Sequence, residues 1–563
     1  MRAQRQISSL TRAESGALRS RLLLAVGLIL VTTGCGLTPG HAPRASDQWS
    51  NGKLLGTATL NNQVALQVDE AGHSFMVWVG LEHELNFARL NEHAEVVVEV
   101  SLAADALDSN SPLKPQLLLD PTGGLHLTWL DKQEEGGLQL FYARLTTDGQ
   151  VIQKATALSP PGQRAAHSSI VLDPVGRTIE VFWSDSTPSR PGSYHAALDW
   201  SGTVIVPAET LIPDGILPVA QIDRQGFVHL AWRVDLEREK PEFHYAVYDP
   251  QSRALGPDIV ASEPLIQMSL LGGPTAGAAF DGPWLGLDES SVYLAWVLEV
   301  RERGQVMDFT FYQAFPQPAL SQREGAALLA ETFDYAPPEV TSEAVHVIFQ
   351  GADPTLTGDP RFLEGQPTRQ VLACRTQVSG PGNLEMFQIA VADVLADRIG
   401  GQEIVNASRA ASLQPNVAFD PSGNLHLAWI DTAGFSRYQV VYASTSLQAK
   451  ETLNRITAYA IVDRVLSTVM SVFVSLFFVP IVLSWVFIPV AGLVIFALTT
   501  GQYEVSDPRS RWALGLAMLL QLGIKLFFFS DFLSRFPRSS LLSPSLGLLL
   551  GRWIFPVFLA ILS

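Results

Sequence analysis

Two cysteines in 563 residues, Cys35 and Cys374, are too few for a disulfide framework. Cys374 follows the apolar run Val371–Leu372–Ala373 with no base motif beside it, and reads as a small buried hydrophobe. Charge is also scarce, at 17% of residues, while apolar residues make up 47%, a balance of a globular chain with a membrane portion. No phosphate-binding glycine loop, dinucleotide fingerprint, zinc-protease motif or nucleophile elbow occurs in a suitable context, so nothing marks a common enzyme class. Positive charge is missing where nucleic acid would need it. Residues 1–45 carry net +5 and residues 447–563 net +4, so residues 46–446 carry −26 of a chain total of −17. That acidic middle excludes nucleic-acid binding and fits a soluble domain between segments that meet a membrane.

The length predicts two or three domains. Arg2, Arg5, Arg12, Arg19 and Arg21 precede the apolar run Leu22–Val31 and then Thr32–Thr33–Gly34–Cys35. A basic stretch, a short apolar core and small residues make an export signal over residues 1–34. The ending resembles a bacterial lipobox, with Cys35 as the lipidated residue. Cleavage elsewhere, or an uncleaved anchor, are the other readings. Residues 35–53 read as a linker.

Between residues 60 and 446 one pattern recurs. Its clean copies run Pro115 to Asp131, with Asp120, Gly123, His126 and Trp129, and Pro415 to Asp431, with Asp420, Gly423, His426 and Trp429. A third holds Asp223, Gly226, His229 and Trp232; looser copies hold Asp69 and Trp78, Asp173 and Trp183, and Asp288 and Trp296. A seventh is placed at Ala344–Phe349, with His346. About a dozen residues after several tryptophans come Phe87-Ala88, Tyr142-Ala143, Tyr194-His195-Ala196, Tyr245-Ala246 and Tyr442-Ala443. Each copy reads as strand, Asp-x-x-Gly turn, strand, loop, strand, and the early ones recur every 50 to 53 residues, the length of a four-stranded blade. A blade cannot bury both faces alone, so seven copies predict an all-β seven-bladed propeller over residues 54–446, with Leu54–Leu60 as an outer strand closing the ring.

This layout resembles the bacterial sialidase-like, BNR-repeat propellers. The resemblance implies the fold over roughly residues 54–446. The Asp-box Ser-x-Asp-x-Gly-x-Thr-Trp does not occur in this chain, and the arginine triad and Tyr/Glu nucleophile pair of true sialidases have no identified counterparts.

The recurring histidines stand one per blade, so symmetry keeps them apart, and they are assigned to packing and hydrogen bonding rather than to a metal. The tryptophans are assigned to the core between blades. The acids beyond them are the candidate site: Asp131, Asp185 and Asp431 two residues past Trp, Asp235 and Glu299 three, Glu82 four. On loops leading to the third strands they would form an acidic rim for Ca²⁺ or a cationic ligand, and the same ring offers carboxylate pairs for glycoside hydrolysis; alternatively each shapes its own turn. No other cofactor is expected.

Residues 447–464 read as a lead-in, and 465–563 as an α-helical transmembrane domain of three or four spans. Val465–Tyr503 is 39 residues without a charged side chain, about 58 Å as a straight helix, nearly twice the ~30 Å hydrocarbon core. Pro480 and Pro489 offer breaks; Trp512–Phe529 and Leu541–Leu562 are further spans. Lys525 and Arg552 are charges within apolar runs. Lys525 can snorkel; Arg552 either pairs, with Asp531 as candidate, or its segment lies at the interface. The function expected is a non-catalytic, extracytoplasmic module at a bacterial membrane, its partners lipid and a glycan, polymer or protein ligand. The alternative is a membrane-tethered sialidase-like glycoside hydrolase.

Overall fold

The computed structural model describes residues 45–455 apart from single residues, short loop segments and the stretches 265–277, 321–344 and 348–356, together with 490–501 and 508–519. The expected signal, Cys35, Lys525, Arg552 and most of the proposed spans lie outside the described residues. Two compact units divide the chain, one being residues 43–378 with 385–455 and the other holding the C-terminal segment. In the latter, residues 490–500 and 508–519 are helical. Among the described residues no helix is long and apolar enough to cross a membrane.

The first unit is a seven-bladed propeller. Its strands form seven antiparallel sheets, six of them built from strands consecutive in sequence. The seventh takes its outer strand from the other end of the chain: Lys53–Ala58 pairs with Tyr438–Ser444, Lys53 opposite Tyr442 and Ala58 opposite Tyr438. That is the closing strand expected at Leu54–Leu60. A short helix, Leu447–Leu453, capped by Ser446, follows the last strand. It fastens the two ends together, because the Asn51 backbone N–H donates to Asn454 Oδ1 (2.7 Å) and Lys450 Nζ donates to the Gln48 carbonyl (3.1 Å).

The second strand of each blade is buried on both faces and alternates between its neighbours. In blade two, Leu125, Leu127 and Trp129 pack against Phe75, Val77 and Val79 of blade one, while Leu130 packs against Trp183 of blade three. Trp78, Trp129, Trp183 and Trp429 are among the largest fully buried side chains, as core assignment requires.

The repeated polar residues form a buried relay. In blade two Asp120 closes its turn by accepting from the Thr122 and Gly124 N–H groups, and its other oxygen meets His126 Nε2 at 3.0 Å. His126 Nδ1 lies 2.8 Å from the hydroxyl of Tyr142 on the third strand. Blades four and seven repeat the His–Tyr bond, His229 with Tyr245 and His426 with Tyr442, both at 2.6 Å, while the turn aspartates Asp223 and Asp420 stand 3.5 Å from the histidine Nε2. Blade three swaps the roles: Glu180 stands in the histidine slot and His195 in the tyrosine slot, 2.6 Å apart. Blade one has Phe75 and Phe87 in these two slots. The partners are polar together or apolar together, since a buried polar group left alone is costly.

Blade six differs from expectation. Val345–Val347, with His346, is the outer strand of blade five, paired with Phe311–Gln313, and not the second strand of its own blade. Blade six is Thr357–Phe362, Gln370–Ser379, Glu385–Val394 and Ile399–Ile404. Its second strand has no Trp. Counted from the break in the inner strand, Gly358 opposite Arg375 matches Leu113 opposite Leu130, so Cys374 occupies the tryptophan's place. It is fully buried against Tyr293 and Tyr312, and burial pushes its thiol far up, as expected of an inert core cysteine.

Replacing Tyr245 by Phe should lower stability by about 1–3 kcal/mol, because His229 loses a buried partner. The double variant His229→Phe/Tyr245→Phe copies blade one and should recover most of that loss in urea denaturation of the full chain. A double variant as unstable as the sum of the singles would refute the relay. Asp420 supplies a pH signature. Burial alone would raise its carboxyl, but hydrogen bonds from His426 and from the side chain and N–H of Asn424 outweigh it and hold it at about 2. A depressed folded value means stability present above the unfolded value near 4 and lost as pH falls toward 2, about 2 kcal/mol in all. Acid titration of Asp420→Ala should show a shallower loss over that window.

Candidate functional site

Three of the acids expected at a rim are fastened inside the blades. Asp131 ends a second strand, is buried, and accepts from Ser109 Oγ and the N–H groups of Asn110 (3.1 Å) and Ser111 (2.9 Å), fixing the link that enters blade two. Asp185 does the same for Arg164 (3.2 Å) and also holds the Thr187 N–H (2.9 Å). Asp431 accepts from Ser412 Oγ and Trp429 Nε1 (2.7 Å). Asp235 pairs with Arg233 (2.6 Å), and Glu299 lies in a strand opposite Asp308. Glu82 alone sits on an exposed turn. Five of the six therefore stand in strands, not on the joining loops, because the strands run two to six residues past the Trp. Among the described residues no group of three or more His, Cys, Asp and Glu side chains is placed to hold a metal.

The convergence lies on the propeller axis instead, and a backbone irregularity creates it. Six inner strands lose register once against their second strands, between Leu113 and Gln116 in blade two and at the equivalent place in blades three to seven. At four of these bulges a non-glycine residue takes a left-handed conformation: Lys114 (φ 49°), Leu217 (φ 54°), Asp359 (φ 52°) and Gln414 (φ 52°). Each is followed by proline, whose missing N–H is harmless on the innermost edge, where no further strand pairs. In blade three the same register position is His167, in blade five Gly282, and in blade one Gln63, giving one residue per blade around the channel.

The charged members of this ring interact across the axis. Burial pushes His167 down to about 3, and Lys114 of the preceding blade and Arg361 from blade six add to the effect. His167 is therefore neutral across the physiological range. Lys114 is lowered by burial and by Arg361, against the pull of Asp281 in blade five. Arg361 is lowered by burial, opposed by Asp359, Asp281 and Glu364. Its Nε donates to Gln63 Oε1 of blade one at 2.8 Å, and its guanidinium lies 5.9 Å from the ring centre of the half-buried Trp284. Beside it Arg375 bridges Asp308 and Asp359, the latter at 3.4 Å. Lys114, Asp281 and Glu364 are exposed to solvent.

One end of the channel is crossed by chain. In six blades the first hairpin closes on an aspartate, whereas blade six has the longer loop Leu363–Arg369, closed by Gln370, which accepts from the Leu363 and Val371 N–H groups. Glu364 Oε2 accepts from Gln67 Nε2 of blade one at 2.7 Å, and the Gly365 N–H donates to Gln221 Oε1 of blade four at 2.9 Å. Blades one and four face each other across the ring, so the loop that touches both spans the channel.

No family model matches the chain. No curated protein matches it either. Solved structures similar to it include the polysaccharide lyase Uly1, 11% identical with a TM-score of 0.43 over 69% of this chain and 91% of that one. A PL25 ulvan lyase bound to -[GlcA(1-4)Rha3S]- is 9% identical, with a TM-score of 0.42 over 73% of this chain and 99% of that one. The Hadza microbial sialidase Hz136 is 10% identical, with a TM-score of 0.34 over 63% of this chain and 73% of that one. Likeness at this level carries no weight for activity.

The axial residues escaped the sequence reading because they precede the repeat's Asp turn and vary from blade to blade. The signal was the x-Pro pair, Lys114-Pro115, Leu217-Pro218, Gly282-Pro283, Asp359-Pro360 and Gln414-Pro415, ahead of five of the seven hairpins. Asp131→Ala should cost about 1–3 kcal/mol in thermal or urea unfolding, since it frees three donors, while Glu82→Ala should leave stability unchanged. Equal effects would break the distinction drawn between them.

Proposed function

We propose that the chain is a membrane-tethered extracytoplasmic propeller that binds a glycan in its axial channel, without catalysing its breakdown. One observation carries the reading: Lys114, His167, Asp281, Asp359, Arg361 and Glu364, drawn from four blades, converge where apolar side chains would close a propeller at lower free energy. Charges of both signs interleaved with amides offer the paired donors and acceptors that vicinal hydroxyls require, and Trp284 adds a half-exposed aromatic ring. The tether rests on the sequence: the export signal with Cys35, and the uncharged stretch Val465–Tyr503 with the spans after it. Membrane lipid is then one partner and the glycan the other, on the outer side of a bacterial membrane. Both chain ends leave the propeller on the face that carries the Asp turns, where Ser444 stands opposite His426, a geometry suited to two tethers.

A hydrolase is the second reading. Burial raises the carboxyl of Glu364 against the opposing pull of Gln67 and Arg361, the condition of a general acid.

The test is to incubate the full chain with mixed envelope oligosaccharides and analyse both the retained and the released sugars by mass spectrometry. Retention without cleavage, lost at least tenfold in Arg361→Ala with the melting temperature unchanged, is the expected result. Release of a defined sugar, abolished in Glu364→Gln, would instead make the channel an active site.

A further inference from the structure

The channel is not the same at its two ends. At the face of the Asp turns the blade-six loop crosses it, held by Gln67 of blade one and Gln221 of blade four. At the opposite end stand the bulge residues, and there Lys114 and Asp281 are accessible to water. The loop is built for its position. It replaces the short aspartate turn of the other blades, and Gln370 both closes its base and donates to the Leu287 carbonyl of blade five at 2.8 Å. It is thus fastened to blades one, four and five as well as its own, which a surface loop with no role in the channel would not need.

We infer that the channel is a blind pocket, closed at the face of the Asp turns by the blade-six loop at Leu363, Glu364 and Gly365 and entered from the bulge face, so that it takes the end of a glycan chain and not an internal segment. This rests on the proposed function, since it assumes that a glycan enters the channel at all. Gln67, Gln221 and the blade-six loop would then be specificity determinants: they set where the chain must stop. The residues at the floor support a terminal unit. Glu364 and the neighbouring amides present acceptors and donors at the closed end, where only a final sugar has hydroxyls to meet them. The blind end is also the face from which both ends of the propeller chain leave.

A polymer cut into shorter pieces gains ends without changing its internal segments, and that separates the two modes. A soluble envelope polysaccharide is cut to one-tenth of its length by partial acid hydrolysis, and binding to the full chain is compared at equal mass. End recognition predicts about a tenfold gain in apparent affinity per unit mass for the cut material. Unchanged binding per mass would overturn the blind pocket while leaving the glycan-binding function intact. If neither form binds, the function itself falls, and the inference with it. The double variant Gln67→Ala/Gln221→Ala, which frees the loop from both walls, should narrow the tenfold difference by letting uncut chains thread through. Persistence of the full difference in a variant with an unchanged melting temperature would show that the loop does not set the limit.

Discussion

The inner strands meet a crowding constraint that the other strands escape. Seven edges must approach one axis, and a regular pleat continued along each would bring backbone and side chains into a space that narrows toward the centre. The register break relieves this: two residues of the inner strand are passed over in the pairing, and the pleat is interrupted there. A consequence is that each break presents one residue to the channel, whatever its chemistry, from Lys114 to Gly282. Leu217 and Lys114 share the same left-handed backbone, so the conformation belongs to the architecture and not to any one residue. Non-glycine residues at positive φ carry strain of about 1–2 kcal/mol each, and the ring closure sustains it at four positions. Function enters only through which side chain each bulge displays.

Stability and site are thereby separated within every blade. The set of turn aspartate, histidine and tyrosine runs between the first hairpin and the third strand, away from the axis, and in blade two its members satisfy one another. The acids beyond the tryptophans fasten the links between blades at the opposite end. Both sets recur because their task recurs. The axial residues face a different neighbour in each blade, so they are free to differ, and their differences give the channel its polarity. An average over seven blades erases the signal that matters.

That separation explains what could be read from the sequence. Seven blades, the closing strand near Leu54 and the buried tryptophans follow from a period and an alternation, which are local properties. Asp131 and Asp431 were equally visible, but whether they stood on a loop or within a strand depended on two residues of strand length, below the resolution of pattern reading. Blade six was misplaced onto His346 because it lacks both signals, with a longer loop for the aspartate turn and Cys374 for the tryptophan. Lys114, His167 and Arg361 lie 247 residues apart at the extremes, and only the closed ring makes them neighbours.

The misplacement of blade six is itself informative. A blade that keeps the consensus has a short turn, which leaves the channel mouth clear. To cross the channel a loop must be longer, and lengthening it removes the aspartate whose side chain closes the short turn. Gln370 supplies the same service from the far side of the loop, accepting two backbone N–H groups and donating to blade five. The hairpin ladder is two pairs shorter as a result, with Phe362 opposite Leu372 as its last pair. Loss of the repeat and gain of the crossing loop are then one change seen from two sides. The blade with the weakest pattern is where a propeller built from near-equivalent units had room to place something that only one unit can carry.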